Sequence, residues 1–131
     1  MTEIISGLWL GNSNSKQNKE ILSKIDIPFD CNFKNQQYLS VDLEIEQFLS
    51  KLNYFTEFLK QNLNLYKNIL IYNSNKQDRI EKSQIILIYF LIKYCQISFK
   101  TALKLTIGKT KKILFNNEYY KIVFQKLNIR I

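Results

Sequence analysis

At 131 residues, 46% hydrophobic and 23% charged, the chain can build one domain with its own core and is too apolar for a disordered polymer. It has no histidine and only two cysteines, Cys31 and Cys95. That excludes Ser-His and Cys-His nucleophiles, histidine acid–base chemistry and an all-Cys zinc site, so neither metal nor cofactor is expected. The cysteines read as ordinary thiols packed as small apolar side chains. The formal net charge of +8 is almost wholly lysine, with Arg79 and Arg130 the only arginines. Asn, Ile, Lys, Tyr and Phe, whose codons are A/T-rich, crowd the sequence, and such a bias gives a pI near 9.5 without selection for polyanions. Dispersed lysine lacks the guanidinium forks of base and phosphate readers, so nucleic acid is not the expected partner. Only GKTKK (108–112) is a local basic cluster.

IISGLWLGN (4–12) predicts a short strand or pair of strands closed by a Gly-Asn turn. Ser13 or Ser15 could cap a helix reaching about Lys24. IDIPFDCNF (25–33) suits a buried strand interrupted near Pro28, and YLSVDL (38–43) a second strand. From Glu44, the residues Ile45, Phe48, Leu49, Leu52, Phe55, Phe58 and Leu59 recur at helical spacing, a core-facing stripe running to about Leu63. NILIY (68–72) is the short, β-branched run of a central parallel strand buried on both faces. A polar loop, SNKQD (74–78), leads into an apolar helix from Arg79 or Ile80 to Tyr94. Ser98 caps a further helix to about Ile107, and Asn117–Leu127 form the last. The longest apolar run, IILIYFLI (85–92), stops at Lys93, far short of the roughly 20 residues of a membrane span. The N-terminus lacks the charged and apolar regions of a signal peptide, which makes the cytoplasm the expected location. GKT at 108–110 reads as a turn, not a nucleotide loop, because Leu103 stands at the upstream glycine position. Trp9, Tyr94, Tyr119 and Tyr120 read as core or rim packing. The expected fold is α/β, a small central mostly parallel sheet flanked by helices, in a single domain over 1–131.

ILIYNSNKQDRI (69–80) resembles the signature segment of the cysteine-dependent dual-specificity protein phosphatases. In that family a strand ends in His-Cys, five loop residues follow, and Arg-Ser opens a helix. The opening IISGLWLGN, the segment SFKTALKL (98–105) and the closing ILFNNEYYKIVFQKL (113–127) resemble other family segments, in the family's order and across nearly the whole chain. The resemblance implies a phosphatase-type α/β fold, with Tyr72 at the family's histidine, Asn73 at its nucleophilic cysteine and Arg79 at its phosphate-binding arginine.

The departures bear on function. Phosphoryl transfer in this family needs a thiolate that attacks phosphorus, and the amide of Asn73 is no nucleophile. Lys76 replaces a loop glycine that lets backbone N–H groups converge on phosphate oxygens, and Ile80 replaces a hydroxyl. Asp78 adds a negative charge to a loop built for a dianion, which costs about 1 kcal/mol or more at close range. The general-acid loop is missing from the spacing, although Asp42 and Glu44 lie near its place. A second register, with three more loop residues, puts Lys82-Ser83 at the Arg-Ser positions; neither register restores the cysteine. Arg79, Lys82 and Ser83 are the candidate anion-binding residues, although for Arg79 a salt bridge to Asp78 or Glu81 is the preferred reading.

The expectation is therefore a degenerate, non-catalytic phosphatase-like domain: a structural or adaptor protein docking on proteins of a larger assembly. The alternative is a module that binds a phosphoprotein or another anion without hydrolysing it. A basic chain suits an acidic scaffold, and tubulin of a cilium or of the microtubule cytoskeleton is the candidate, ahead of ribosomal RNA.

Overall fold

The computed structural model describes residues 2–11, 19–30, 41–72, 82–110 and 117–129. In chain order these form β1 (Thr2–Ile5), β2 (Leu8–Leu10), α1 (Lys19–Leu22), β3 (Ile27–Asp30), α2 (Val41–Asn64), β4 (Ile69–Tyr72), α3 (Lys82–Cys95), α4 (Phe99–Thr110) and α5 (Asn117–Lys126). The four strands make one mixed sheet in the order β1-β2-β4-β3. β1 pairs antiparallel with β2, while β4 runs parallel to both its neighbours, with Leu8 and Ile27 opposite Ile69.

Strand order assigns the helices to faces. The chain crosses from β2 to β3 through α1, then returns from β3 to β4 through α2. Crossovers of this kind are right-handed as a rule, and two in opposite directions set their helices on opposite sides of a sheet. The core follows this division. Ile4, Leu8, Leu10, Ile69 and Ile71 cluster with Phe48, Leu52, Phe55 and Leu59 of α2. The same cluster takes Ile85 to Ile88 of α3, Phe99 and Ala102 of α4, and Val123 and Phe124 of α5. Leu70 and Tyr72 alternate to the other face and are buried as well. A strand buried on both sides needs the unbroken apolar run that ILIY supplies.

The hairpin turns at Ser6–Gly7, with Gly7 at φ 87. Its N–H donates to Glu3 Oε2 (3.1 Å), and its carbonyl accepts the Ile69 N–H (2.8 Å). At the start of β3, Asp26 and Ile27 donate to the Asn68 carbonyl (2.8 and 3.1 Å), and Asp26 Oδ2 accepts the Asn68 N–H (2.7 Å). These bonds lock the β2, β3 and β4 starts together. Ser98 caps α4 as expected, its Oγ accepting the Thr101 N–H at 3.1 Å.

α2 ends in a turn that satisfies two of its free carbonyls. The Tyr66 N–H donates to the Leu63 carbonyl (3.0 Å) and the Lys67 N–H to that of Asn62 (3.2 Å). Tyr66 consequently sits at φ 58, where glycine is usual and a bulky residue costs about 1 kcal/mol or more. α5 ends the same way with Asn128 at φ 59, a residue that tolerates this conformation.

Several expectations are corrected. Residues 41–43 of the predicted strand YLSVDL are the opening of α2. Val41, Ile45, Phe48 and Leu52 share one helical period, and that longer pattern overrides the local strand propensity. Asp42 and Glu44 thus belong to a helix. Pro28 does not interrupt β3, because β3 pairs only with β4 among the described residues and a missing N–H on its other side costs no ladder bond. The GKT segment is no turn: α4 continues through Thr110, and Gly108 faces open space. Cys95 is exposed at the end of α3, where the apolar stripe has run out, so it is not a core thiol. Cys31, Ser13 and Ser15 lie outside the described residues.

Candidate functional site

β2, β4 and β3 run parallel and finish at one edge of the sheet. The Gly11 N–H bonds the Ile71 carbonyl (2.9 Å), and Asp30 stands opposite Tyr72 at the ends of β3 and β4. In open α/β sheets this carboxyl edge is where ligands bind. Tyr72, at the family's histidine position, is buried as the last residue of the central strand. Ten residues on, Lys82 opens α3, with Ser83 and Gln84 buried in its first turn. Asn73, Lys76, Asp78, Arg79 and Ile80 fall on the connection between strand and helix, outside the described residues. Sequence reasoning missed Gln84, although a polar pair before the run 85–92 was the available signal. The other buried hydroxyls are structural: Thr56 donates to the Leu52 and Asn53 carbonyls, and Thr106 to that of Ala102.

Cys95 is the thiol among the described residues. Partial shielding from water pushes the Cys95 thiol up from its ordinary range, which disfavours the thiolate, and Cys95 closes α3 at the end remote from this edge. Among the described residues no three His, Cys, Asp or Glu side chains gather as a metal site, and no helix is long and apolar enough to cross a membrane.

A polar cluster lies between α2 and α3, which pack on each other. Asn53 Oδ1 accepts from Lys93 Nζ (2.9 Å) and from the Tyr89 hydroxyl (3.2 Å). The Tyr94 hydroxyl donates to the Glu57 carboxylate, and its ring packs on Phe90 with centroids 5.1 Å apart. Burial first, and the Glu57 bond second, hold the Tyr94 hydroxyl above its ordinary pKa. Lys60 and Lys93 lie 5.2 and 5.4 Å from the centre of that ring, and Lys93 5.7 Å from that of Tyr89. Tyr94 thus packs at the rim, as expected, and Trp9 is half-buried in β2.

A mixed four-stranded sheet, a central strand buried on both faces and a long apolar helix following it in the chain make a small α/β domain. Its fold is that of the dual-specificity protein phosphatases, as the sequence resemblance implied. A leucine-rich-repeat and phosphatase-domain protein from Entamoeba histolytica matches with a TM-score of 0.72 at 20% identity, over 97% of this chain and 92% of that one. The human tyrosine phosphatase-like serine/threonine/tyrosine-interacting protein gives 0.71 at 17% identity, over 98% and 95%. Human DUSP28 gives 0.71 at 14%, over 95% and 90%. No family model matches the sequence. No curated protein matches it either.

Proposed function

We propose that the chain is a non-catalytic phosphatase-fold domain that works by binding other proteins. The observation that carries this reading is Asn73, the residue directly after the central strand, where the fold's chemistry requires a thiolate. Lys76 for glycine, Ile80 for a hydroxyl and Asp78 in an anion loop point the same way. Placing Asp42 and Glu44 in α2 removes both from the loop that would carry a general acid. One structural neighbour is named a phosphatase-like interacting protein, which is consistent with a fold kept for docking. With a net charge of +8, the expected setting is an acidic scaffold in the cytoplasm, with tubulin of a cilium or of the microtubule cytoskeleton as the candidate.

Purified protein should hydrolyse p-nitrophenyl phosphate no faster than buffer at any pH from acid to neutral. Asn73→Cys alone should not restore turnover, because the loop glycine and the general acid are still missing. Hydrolysis that survives purification and disappears in an Arg79→Ala variant would overturn the reading.

A second reading is favoured by the opening of α3. The described helix begins at Lys82 with Ser83 buried in its first turn, which suits the register that places Lys82-Ser83 at the family's Arg-Ser positions. In that register the loop could hold a phosphoryl group without cleaving it, using Lys82, Ser83 and the helix N-terminus, with Arg79 nearby. Phosphate protection of the fold at millimolar ligand, lost in Lys82→Ala, would select this reading over a plain scaffold.

A further inference from the structure

The large hydrophobic side chains most exposed among the described residues lie on one helix and its terminal turn. Tyr54, Leu65 and Tyr66 expose 66%, 64% and 95% of their surface. Tyr54 and the half-buried Phe58 make a stripe at i and i+4 on α2, and Leu65 and Tyr66 lie in the turn that follows it. The stripe adjoins Asn53, Glu57 and Lys60, the residues that meet Tyr89, Lys93 and Tyr94 of α3. Lys51 and Lys60 of α2, Lys67 after its terminal turn and Lys93 of α3 are exposed, and the Glu57 carboxylate of α2 is engaged by the Tyr94 hydroxyl. The face is therefore apolar, aromatic and positively charged.

Tyr66 supplies an independent sign. It occupies a left-handed position that glycine would fill at lower cost, and with nearly all its surface in water it returns no packing for that strain. An aromatic carried into solvent at a helix end, with its backbone fixed by the turn, offers a partner the kind of side chain that interfaces use as anchors. A second copy of the chain would bring like charges together, so self-association does not fit this face.

We infer that the face formed by α2, its terminal turn and α3 docks an acidic protein segment with apolar side chains interspersed. The aromatic and leucine side chains take its apolar residues, and the lysines take its carboxylates. This inference concerns a different surface from the degenerate loop and holds whether or not that loop is catalytic, so an active enzyme in the hydrolysis assay would leave it standing.

The test uses the full chain and a fluorescein-labelled synthetic peptide of glutamates interspersed with leucines, followed by anisotropy at low and physiological salt. Wild-type protein binds saturably, and Lys60→Glu with Lys93→Glu weakens binding about tenfold. The same charge change on α4, Lys100→Glu with Lys104→Glu, weakens it less than about threefold. Tyr66→Gly, which relieves the strained turn, weakens binding while the melting temperature rises. Absence of binding by the wild type, or equal losses from the α2–α3 and α4 charge reversals, overturns the inference. So does Tyr66→Gly binding as tightly as wild type.

Discussion

Phe124→Ala lowers the free energy of unfolding by about 3–5 kcal/mol, a large part of what a domain of this size has. Phe124 is fully buried, and its ring meets Phe99 edge-on with centroids 5.1 Å apart. It joins α5 to α4 and, through the shared cluster, to the sheet. Alanine removes the transfer free energy of a phenyl group and leaves a void that neighbouring helices close only in part. Phe124→Leu keeps most of the volume and should cost about 1.5 kcal/mol or less. Urea unfolding followed by circular dichroism reads the difference directly, and a loss from Phe124→Ala of under about 1 kcal/mol would mean that α5 does not share the core.

Gly7→Ala produces the second large effect, a loss of about 2–3 kcal/mol, or a melting temperature lower by about 10 °C. The hairpin turn holds Gly7 at φ 87, where an L side chain is strained regardless of space. Space is short too: an added Cβ would lie 3.1 Å from Leu63 Cδ2 and 3.3 Å from the Lys67 carbonyl oxygen. That carbonyl belongs to the turn feeding β4 and cannot retreat without disturbing the bond from the Ile69 N–H to the Gly7 carbonyl. Gly108→Ala is the matched control, because Gly108 lies inside α4 with nothing within 4 Å of an added Cβ. It should leave stability unchanged or raise it by up to about 1 kcal/mol. Equal effects at the two glycines would show that the hairpin turn is not what fixes the sheet edge.

The elements with the longest consistent pattern were legible from sequence. ILIY reads as a strand buried on both sides because no polar residue interrupts it, and α3 follows from a run too long and too unbroken for a strand of that sheet. Residues 41–43 of YLSVDL were misread because Tyr38 and Val41 favour strands locally, whereas the helical period linking Val41 to Phe48 spans a longer window. The strand order β1-β2-β4-β3 depends on crossovers between distant segments, which periodicity does not encode. The loop after β4 became a candidate site only through resemblance, since Asn73, Lys76 and Asp78 carry no chemistry that would mark them alone. Tyr66 gave no signal at all. A left-handed helix end is anticipated from glycine or asparagine, and a tyrosine there is visible only in the backbone.

The role proposed above is that of a bound component and not of a free enzyme. The most direct measurement is the native size of the endogenous 15.7 kDa chain, followed by mass spectrometry as cell extract is fractionated across a salt series. At about half-molar salt the screening length falls to roughly 4 Å, which strips proteins held only by dispersed lysine charge. The account predicts that the chain still elutes with one large particle under those conditions. Elution as a free monomer at every salt concentration would contradict it.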